Sequence, residues 1–288
     1  MGMRRGFILL LIYVFMAMPC FAIKIGLQTR VGKTFIGAST TAEIIDVRTN
    51  KLLFVMDKMK GYELKPYKND MIAIKIDGQY RKIKTNQIII KPEKDGYVSV
   101  KRKWYRGHFK VINDGGALTV MNDLTIEDYI QGVVPSEMPS SWEIEAHKAQ
   151  AIAARSYALA NLGKRGKYGY DLKDTPEDQA YGGASAETAR TNKAVSETEG
   201  IVLVCQGKIV PAYYSASAGG QTRSAGQVWL HDLPFIKSVP SFDDGIKKNG
   251  HGVGMSQYGA NNLAKRGYNG YQILKYFYAN TKFAKLKK

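Results

Sequence analysis

Apolar and polar residues alternate along much of the segment 23–124. The pattern is clear in "MIAIKI" (71–76), "GYVSV" (96–100) and "FKVI" (109–112), and turns rich in Gly, Asn, Asp and Lys separate such stretches. Alternation with a period of two residues is typical of strands that bury one face, and the segment contains no helical period of useful length. The pattern therefore predicts a β-rich N-terminal region over 23–124, built as sheets or as a small barrel.

The pattern changes at Thr125. The stretch "TIEDYIQGVV" predicts a short helix with Thr125 as its N-cap. A loop with two prolines, "VPSEMPSS" (134–141), separates it from an alanine-rich helix predicted over 142–162. Strand patterns return in 200–220, and "YQILKYFY" predicts a last helix. This order predicts an α+β fold, in which the β-rich part is followed over 125–288 by a mixed helix and strand core with a central buried helix.

The first residues are typical of a secretory signal. Arg4 and Arg5 precede the apolar run 7–18, and small residues suit cleavage after Ala22. The run is shorter than the roughly 20 residues that span a membrane, although an uncleaved anchor remains open. We therefore expect a signal peptide over 1–22 and an exported protein of the cell envelope, either secreted or anchored by its N-terminal segment.

Charge narrows the class of partner. The net charge is +17, and cleavage after Ala22 would lower it to +15 because it removes Arg4 and Arg5. An exported protein this basic is expected to meet polyanions, which outside a bacterial cell are wall polymers and membrane surfaces. Nucleic acid is the rival partner, but the chain contains no nucleic-acid-binding motif. We therefore expect no nucleic acid partner.

The sequence offers little to a metal ion. Beyond residue 22 the chain has one cysteine, Cys205, so neither an internal disulfide nor a cysteine cluster can form. The four histidines show no i, i+4 pair and no zinc-protease spacing. We therefore predict no metal site and no cofactor.

Two features carry candidate chemistry. Glu137 stands between Pro135 and Pro139, which fix φ and favour extended geometry in the residues before them, Val134 and Met138. This predicts either a stiff loop that positions one carboxylate or an ordinary turn with a solvated acid.

The second feature is a pair of cations in the alanine-rich helix. At helical spacing Lys148 and Arg155 share a stripe with Ile144, Ile152 and Leu159. Cations on the apolar stripe of a buried helix are costly unless they are paired. They are therefore either neutralised by an acid in the core or by snorkelling, or they form an anion site in an active-site wall facing Glu137.

Several motifs, in order, carry a resemblance to a known family. The long stretch "EDYIQGVVPSEMPSSWEIEAHKAQAIAARSYAL" is followed by "DTPEDQAYGG", "YYSASAGGQT" and "GHGVGMSQYGA". Together they resemble the SpoIID/LytB family, and the likeness covers about 23–283. That family contains the stage II sporulation protein D, a peptidoglycan lytic transglycosylase, and a branch of amidase enhancers. The resemblance implies a protein of cell-wall remodelling, related to sporulation.

The resemblance also assigns residues. The acid of the family's "EMP" motif is catalytic and corresponds to Glu137. The remaining matches are expected to bind substrate along a groove: Lys148, Arg155, Gln179, Tyr181, Tyr214, Ser215, His251 and Gln257. This sequence departs from relatives that hold a structural zinc through cysteines, which it lacks. It also has only "FDDGIKKN" before the last motif, where the family often has tens of residues, so the substrate groove is expected to differ there.

The implied reaction needs a single carboxylate. Glu137 would protonate the glycosidic oxygen and then take a proton from the C6 hydroxyl of the same N-acetylmuramic acid, which closes a 1,6-anhydro ring. Lys148 and Arg155 would hold the free lactyl carboxylate of a peptide-stripped glycan strand, and burial would raise the pKa of Glu137. The alternative is a non-catalytic wall-binding protein that enhances an N-acetylmuramoyl-L-alanine amidase.

Overall fold

The computed structural model describes residues 21–229 and 231–286. The predicted signal peptide therefore lies outside the described residues except for its last two positions. Within 21–125, a fully described range, the chain folds into successive strands, as the alternating pattern predicts. These are β1 (Ala22–Val31), β2 (Thr34–Ala38), β3 (Ala42–Asp46), β4 (Leu52–Met56), β5 (Tyr62–Tyr67), β6 (Met71–Ile76), β7 (Gln79–Ile83), β8 (Gln87–Pro92), β9 (Val98–Val100), β10 (Lys103–Tyr105), β11 (His108–Asp114) and β12 (Ala117–Thr125).

Helices dominate after Thr125, with short strands between them. In chain order these elements are α1 (Ile126–Glu137), α2 (Ile144–Ala160), a 3₁₀ turn (Gly166–Tyr168), β13 (Leu172–Lys173), a second 3₁₀ turn (Gly183–Ala186), α3 (Ala189–Glu197), β14 (Ile201–Cys205), β15 (Lys208–Ile209), β16 (Tyr214–Ser215), α4 (Gly226–Trp229), β17 (Met255–Ser256), α5 (Gln257–Lys265), α6 (Gly270–Phe277) and β18 (Lys282–Lys285). The predicted α+β class is confirmed.

Two sheets organise the N-terminal strands. One has the order β13-β1-β12-β11-β8-β3-β4 and the other the order β10-β9-β2-β5-β6-β7. Their inward side chains form one apolar cluster, which also contains residues of α1 and α2. Since β13 pairs in parallel with β1 through Ile25 and Leu172, the regions on either side of residue 124 share a core. The division at that residue stays a prediction.

Helix α2 lies at the centre of the helical part. Thirteen of its seventeen residues are buried, and it packs against α1, α3, α5 and α6. The predicted central buried helix is therefore confirmed. It begins at Ile144 and ends at Ala160, two residues inside each predicted boundary.

Helix α1 is longer than predicted, and this places Glu137. Thr125 caps it as expected, accepting a hydrogen bond from the Asp128 N–H at 3.1 Å. The helix then continues through Pro135 to Glu137, so the prediction of extended geometry at Val134 is wrong. Met138 does adopt extended geometry before Pro139, with φ −129° and ψ 140°. Pro135 therefore removes one backbone N–H donor but does not end the helix. Glu137 lies at the end of a helix and not in a loop.

Candidate active site

A cavity of about 710 Å³ lies where the C-terminal end of α1 meets the segment 176–180, β16, α4 and the glycine-rich loop before β17. The Glu137 side chain lines it. Oε1 accepts a hydrogen bond from the Ala180 N–H at 2.7 Å, and Oε2 accepts one from Nε2 of Gln257 at 3.0 Å. Both oxygens of the carboxyl are therefore held, by donors from two distant parts of the chain.

The surroundings of Glu137 favour its protonated form. Burial raises the pKa of this carboxyl, and hydrogen bonds from Ala180, Gln257 and Tyr214 oppose the rise without cancelling it. The carboxyl also lies at the C-terminal end of α1, where the helix dipole disfavours a negative charge. A carboxyl with a raised pKa inside a cleft is able to donate a proton and take one back.

Gln179 directs the Tyr214 hydroxyl. Its buried Nε2 donates to the Tyr214 oxygen at 2.8 Å and to the Ala154 carbonyl at 3.2 Å, while its Oε1 accepts from the Tyr129 hydroxyl at 3.2 Å. Because the Tyr214 oxygen accepts this bond, its own proton is free to point at Glu137. Gln179 therefore acts through Tyr214 and lies behind the cavity wall.

The other acids of the cavity are held as ion pairs. The Asp178 side chain is fully buried and accepts from Lys164 at 2.7 Å and from Arg165. Burial alone would raise the pKa of Asp178, but these hydrogen bonds outweigh it and hold the pKa below its usual range. A hydrogen bond from Lys173 likewise lowers the pKa of Glu177. Among the acids that line this cavity, Glu137 alone has a raised pKa.

An aromatic wall closes one side of the cavity. The Tyr213 ring packs on Trp229 with centroids 4.5 Å apart, and Trp229 packs on His251 at 5.3 Å. Nδ1 of His251 accepts from the Val253 N–H at 2.9 Å, and burial lowers the pKa of the imidazole. The ring is therefore neutral near pH 7, with its proton on Nε2 as a donor.

The glycine-rich loop packs against β16. The Ser215 hydroxyl accepts from the Gly252 N–H at 3.2 Å. A Cβ at Gly250 would lie 2.7 Å from the Ser215 Cβ, and one at Gly254, where φ is +76°, would lie 2.0 Å from the Tyr213 carbonyl oxygen. These glycines therefore let the loop backbone lie close to Tyr213 and Ser215, and this places His251 beside Ser215 in the cavity.

Asp243 ties three segments together behind that loop. Its buried carboxylate accepts from the Ala218 N–H at 2.6 Å, the Gly220 N–H at 2.7 Å and the Ser256 hydroxyl at 2.6 Å, and from Ser241. Burial opposes its ionisation, yet the hydrogen bonds lower the pKa of Asp243. Sequence reasoning missed this residue, which lies in the short segment "FDDGIKKN" where the groove was expected to differ.

Two predicted site cations are not brought to the cavity. Arg155 is fully buried and donates from Nε and Nη2 to the two oxygens of Glu127 at 2.8 and 2.7 Å. Lys148 pairs with Glu145 at 2.8 Å and with Glu197 at 2.7 Å. The interpretation of these cations as an anion site facing Glu137 is therefore wrong, and the alternative of neutralisation by an acid is what the structure shows. Each is paired because an unpaired charge on this buried helix would be costly.

Tyr181 also lies outside the cavity. It is buried, and its hydroxyl donates to Oδ1 of Asn122 at 2.8 Å. Its ring packs on Tyr129 and Tyr105 with centroids 4.9 and 5.7 Å apart. Tyr181 therefore supports α1 from the core and does not face the cavity. Gln257, Tyr214, Ser215 and His251 do line it with Glu137, whereas Trp229, Tyr213 and Lys164 are lining residues that the motifs did not single out.

The described part of the chain lacks two further features. No group of three or more His, Cys, Asp or Glu side chains among the described residues could hold a metal ion. Within the same residues, none of the helices combines the length and the apolar character that crossing a membrane requires.

A family model matches the part of the chain that contains Glu137. Residues 114–205, which include α1 with Glu137 and its partner Ala180 but neither Tyr214 nor Gln257, match the family model SpoIID, stage II sporulation protein. The chain therefore carries a SpoIID domain over these residues. The SpoIID match begins before α1 and ends at Cys205, so it covers the carboxylate, Ala180, Gln179 and α2.

Three relatives show how far the likeness extends. An uncharacterized protein of Brachyspira hyodysenteriae is 32% identical over 199 residues, which are 69% of this chain and 50% of that protein. The amidase enhancer of Bacillus subtilis is 39% identical over 156 residues, 52% of this chain and 21% of the enhancer. The stage II sporulation protein D of Bacillus subtilis is 26% identical over 259 residues, 57% of this chain and 76% of that protein. The chain thus spans half the length of the first relative and about a fifth of the second.

Proposed function

We propose that this protein is a lytic transglycosylase of peptidoglycan. It would cleave the bond between N-acetylmuramic acid and N-acetylglucosamine and leave 1,6-anhydro ends, with Glu137 as the single general acid and base. The observation that supports this most is the Glu137 carboxyl itself, which has a raised pKa in a cavity whose other acids are held in ion pairs.

The reaction would proceed in two proton transfers. Glu137 first gives its proton to the glycosidic oxygen, the bond from that oxygen to C1 of the muramic acid breaks, and positive charge develops at C1. The Glu137 carboxylate then takes the proton from the C6 hydroxyl of the same sugar while its oxygen bonds to C1. Glu137 ends protonated, as it began, and water is not consumed.

The paired acids explain why a second protein carboxylate is not required. A glycosidase normally uses two carboxyl groups, but Asp178 is fully buried between Lys164 and Arg165. It is therefore poorly placed to attack a sugar. An oxygen of the substrate itself is already positioned, and such intramolecular reactions gain several orders of magnitude in effective concentration.

The fixed geometry of the carboxyl suits a double proton transfer. Ala180 and Gln257 hold its two oxygens, and the hydrogen bond from Tyr214 lowers the pKa that burial raises. Each donor stabilises the ionised form that must take up the second proton. The wall of Tyr213, Trp229 and His251 offers ring faces that can pack on the apolar face of a sugar.

The expected preference for peptide-stripped strands has no basis in this cavity. It depended on Lys148 and Arg155, and both are occupied by acids elsewhere. Lys164 lines the cavity but is engaged by Asp178 and by the Tyr157 hydroxyl at 3.1 Å. These three cations therefore give no basis for a preference between the two kinds of strand.

A second candidate function is enhancement of a cell-wall amidase. It is favoured by the 39% identity to the protein named amidase enhancer, over 52% of this chain. In that role the cavity would hold glycan without cleaving it, and a separate amidase would be the partner. Both functions imply export to the cell envelope, which the basic and apolar N-terminal residues support.

Analysis of the products distinguishes the two functions. The chain without residues 1–22 is incubated with purified glycan strands, peptide-bearing and peptide-stripped, and the fragments are analysed by mass spectrometry. Anhydro-ended fragments from the wild type but not from Glu137→Gln are the expected result. Fragments with ordinary reducing ends would show hydrolysis instead, and absence of cleavage together with stimulation of an added amidase by both proteins would establish the enhancer.

A further inference from the structure

A buried histidine, His147 of α2, contacts the chain that follows Glu137. Its side chain is fully buried, and Nε2 lies 3.0 Å from the carbonyl oxygen of Pro139. A carbonyl oxygen only accepts hydrogen bonds, so Nε2 carries the proton and donates it here. Because Pro139 is the second residue after Glu137, His147 ties this part of the chain to α2.

Two prolines leave the end of α1 short of backbone hydrogen bonds. Pro135 has no N–H to donate within the last turn of the helix, and Pro139 has none to donate just after it. Backbone hydrogen bonds to Pro139 therefore reach only its carbonyl oxygen, which accepts from the Trp142 N–H at 3.0 Å and from His147. A side chain of α2 thus contributes one of the bonds that hold the chain beside Glu137.

The chain between α1 and α2 is also tied to two other helices. The Glu143 N–H donates to Oδ1 of Asn261 in α5 at 3.0 Å. Nε of Arg190 in α3 donates to the Trp142 carbonyl oxygen at 3.0 Å. Both of these ties lie farther along the chain from α1 than the bond made by His147.

The second ring nitrogen of His147 makes this bond sensitive to protonation. Nδ1 is buried and has no hydrogen-bond partner among the described residues. In the neutral ring Nδ1 forgoes one hydrogen bond, whereas protonation would bury an N–H and a positive charge for which the described residues offer no acceptor. A protonated ring would therefore gain free energy by moving toward water and leaving Pro139.

The charges around the ring have opposing effects. Burial lowers the pKa of His147. The charge of Arg190 lowers this pKa further, whereas the Pro139 carbonyl and the Glu143 carboxylate raise it. The ring is therefore neutral at neutral pH and becomes protonated only in acid.

We propose that His147 is a positioning residue for Glu137: the neutral ring holds Pro139 and the end of α1 in place, and protonation in acid releases them. The role of Glu137 in this proposal rests on the proposed function. Glu137 itself cannot cause a loss of activity in acid, because the first step needs its protonated form and the second uses the carboxylate that the first step creates. An acid limb of the kcat profile would therefore come from another group, and His147 supplies one.

Two variants separate the hydrogen bond of His147 from its charge. His147→Leu removes the donor, whereas His147→Gln can still donate to Pro139 and does not titrate. The matched control is His108→Gln, because burial also lowers the pKa of His108 but this residue lies on β11, in the sheets before α1. The rival is His251 in the cavity wall, tested by His251→Gln. For all these proteins kcat and KM on purified glycan strands are measured from acid to mildly alkaline pH.

The wild type should lose activity on the acid side of about 6.5, the ordinary pKa of histidine, and His108→Gln should do the same. His147→Gln should keep most of the activity at neutral pH and lose this acid limb. His147→Leu should lower kcat about tenfold or more at neutral pH with little change in KM, because a small misplacement of a reacting group is enough for such a loss. An acid limb that is absent from the wild type, that survives in His147→Gln, or that only His251→Gln removes would overturn the proposal.

Hydrogen exchange gives a second measurement that does not need cleavage. The Trp142 and Glu143 amides are both hydrogen-bonded while this part of the chain is held, and mass spectrometry of the peptide that contains them reports their exchange. At neutral pH exchange should be faster in His147→Leu than in the wild type, and in acid it should be faster in the wild type than in His147→Gln. Equal exchange in the three proteins would overturn the proposal. The expected differences without any cleavage by the wild type would instead remove the proposed activity and leave the hold of His147 on Pro139.

Discussion

Gln257 and Glu137 meet although 120 positions separate them in the chain, with Nε2 of the amide 3.0 Å from Oε2 of the carboxyl. Gln257 is the first residue of α5 and Glu137 is the last residue of α1. Two helix ends therefore fix one functional group, and packing of both helices on α2 sets the distance. The Gln257 amide stabilises the carboxylate form of Glu137 relative to the carboxylic acid form. Replacing Gln257 should therefore change the pKa of Glu137.

Replacement of Gln257 by Leu should shift the pH profile of cleavage. Without the Gln257 donor, fewer hydrogen bonds counter the effect of burial on the pKa of Glu137, so this pKa rises further. The protonated form needed in the first step then persists to higher pH, and the alkaline limb of the kcat profile moves upward. Tyr214→Phe should move the limb in the same direction. An alkaline limb that stays in place or moves to lower pH in both variants would contradict this.

Glu137→Gln should lower the cleavage rate by about 10²–10⁴-fold, the usual contribution of a general acid and base. The fold should be retained, because the amide oxygen can still accept from the Ala180 N–H. The matched control is Glu177→Gln, another acid of the cavity, whose side chain is 58% exposed and paired with Lys173. Rates on purified strands and thermal unfolding curves are compared for the three proteins. Equal losses in the two variants would show that Glu137 has no special role.

Arg155→Gln should act on stability, because it leaves the Glu127 carboxylate without its bidentate partner. Breaking a buried pair from one side typically costs about 3–5 kcal/mol, and the Arg155 side chain is fully buried. Denaturant unfolding should show this loss, while Lys208→Gln stays within about 0.5 kcal/mol of wild type. A stable Arg155→Gln protein with altered choice between peptide-bearing and peptide-stripped strands would restore the substrate role that the structure removes.

Asp178→Asn should destabilise the protein at neutral pH by about 1–3 kcal/mol, since it discharges the acceptor shared by Lys164 and Arg165. The pKa of Asp178 is depressed in the folded state, so its contribution is present above the unfolded-state pKa and is lost as the pH falls through the folded-state pKa. The difference in unfolding free energy between variant and wild type should therefore shrink in acid. A difference that is independent of pH would show that the charge is not what stabilises the segment.

The protein should unfold at the same temperature with and without EDTA. The basis is the sequence, which offers one cysteine and four scattered histidines beyond residue 22, short of a structural zinc set. Thermal unfolding followed by circular dichroism in chelator, and again after added zinc, gives the measurement. A lower transition temperature in EDTA that zinc restores would contradict the prediction.

Local patterns predicted the strands before Thr125 and the helices α1, α2 and α6, but not α3, α5 or the ends of the helices. Alternation identified the strands before Thr125, and a single polar residue, Thr125, identified the start of α1. The proline rule failed at Pro135, because α1 gains enough burial at Val133 and Val134 to tolerate a missing backbone donor. Tertiary packing outweighed a local preference there.

Position along α2 could not reveal what its cations face. Periodicity placed Arg155 on the apolar stripe and showed that it needs an anion, but Glu127 lies 28 positions away on another helix. Motifs likewise found Glu137 and Gln257 but not Trp229 or Asp243, because an aromatic wall and a buried acceptor depend on loops with no period of their own.

The bonds made by Asp243 determine where this protein can tolerate added sequence. Asp243 fixes one end of the short segment before the glycine-rich loop, and the Lys247 carbonyl, which accepts from Ser217 at 2.7 Å, fixes the other. Gly245 between them is exposed and has open space around it. An insertion at that point would leave both anchors in place. Evolution could therefore build or delete a flap beside the cavity there, and change the shape of its entrance, without moving Glu137.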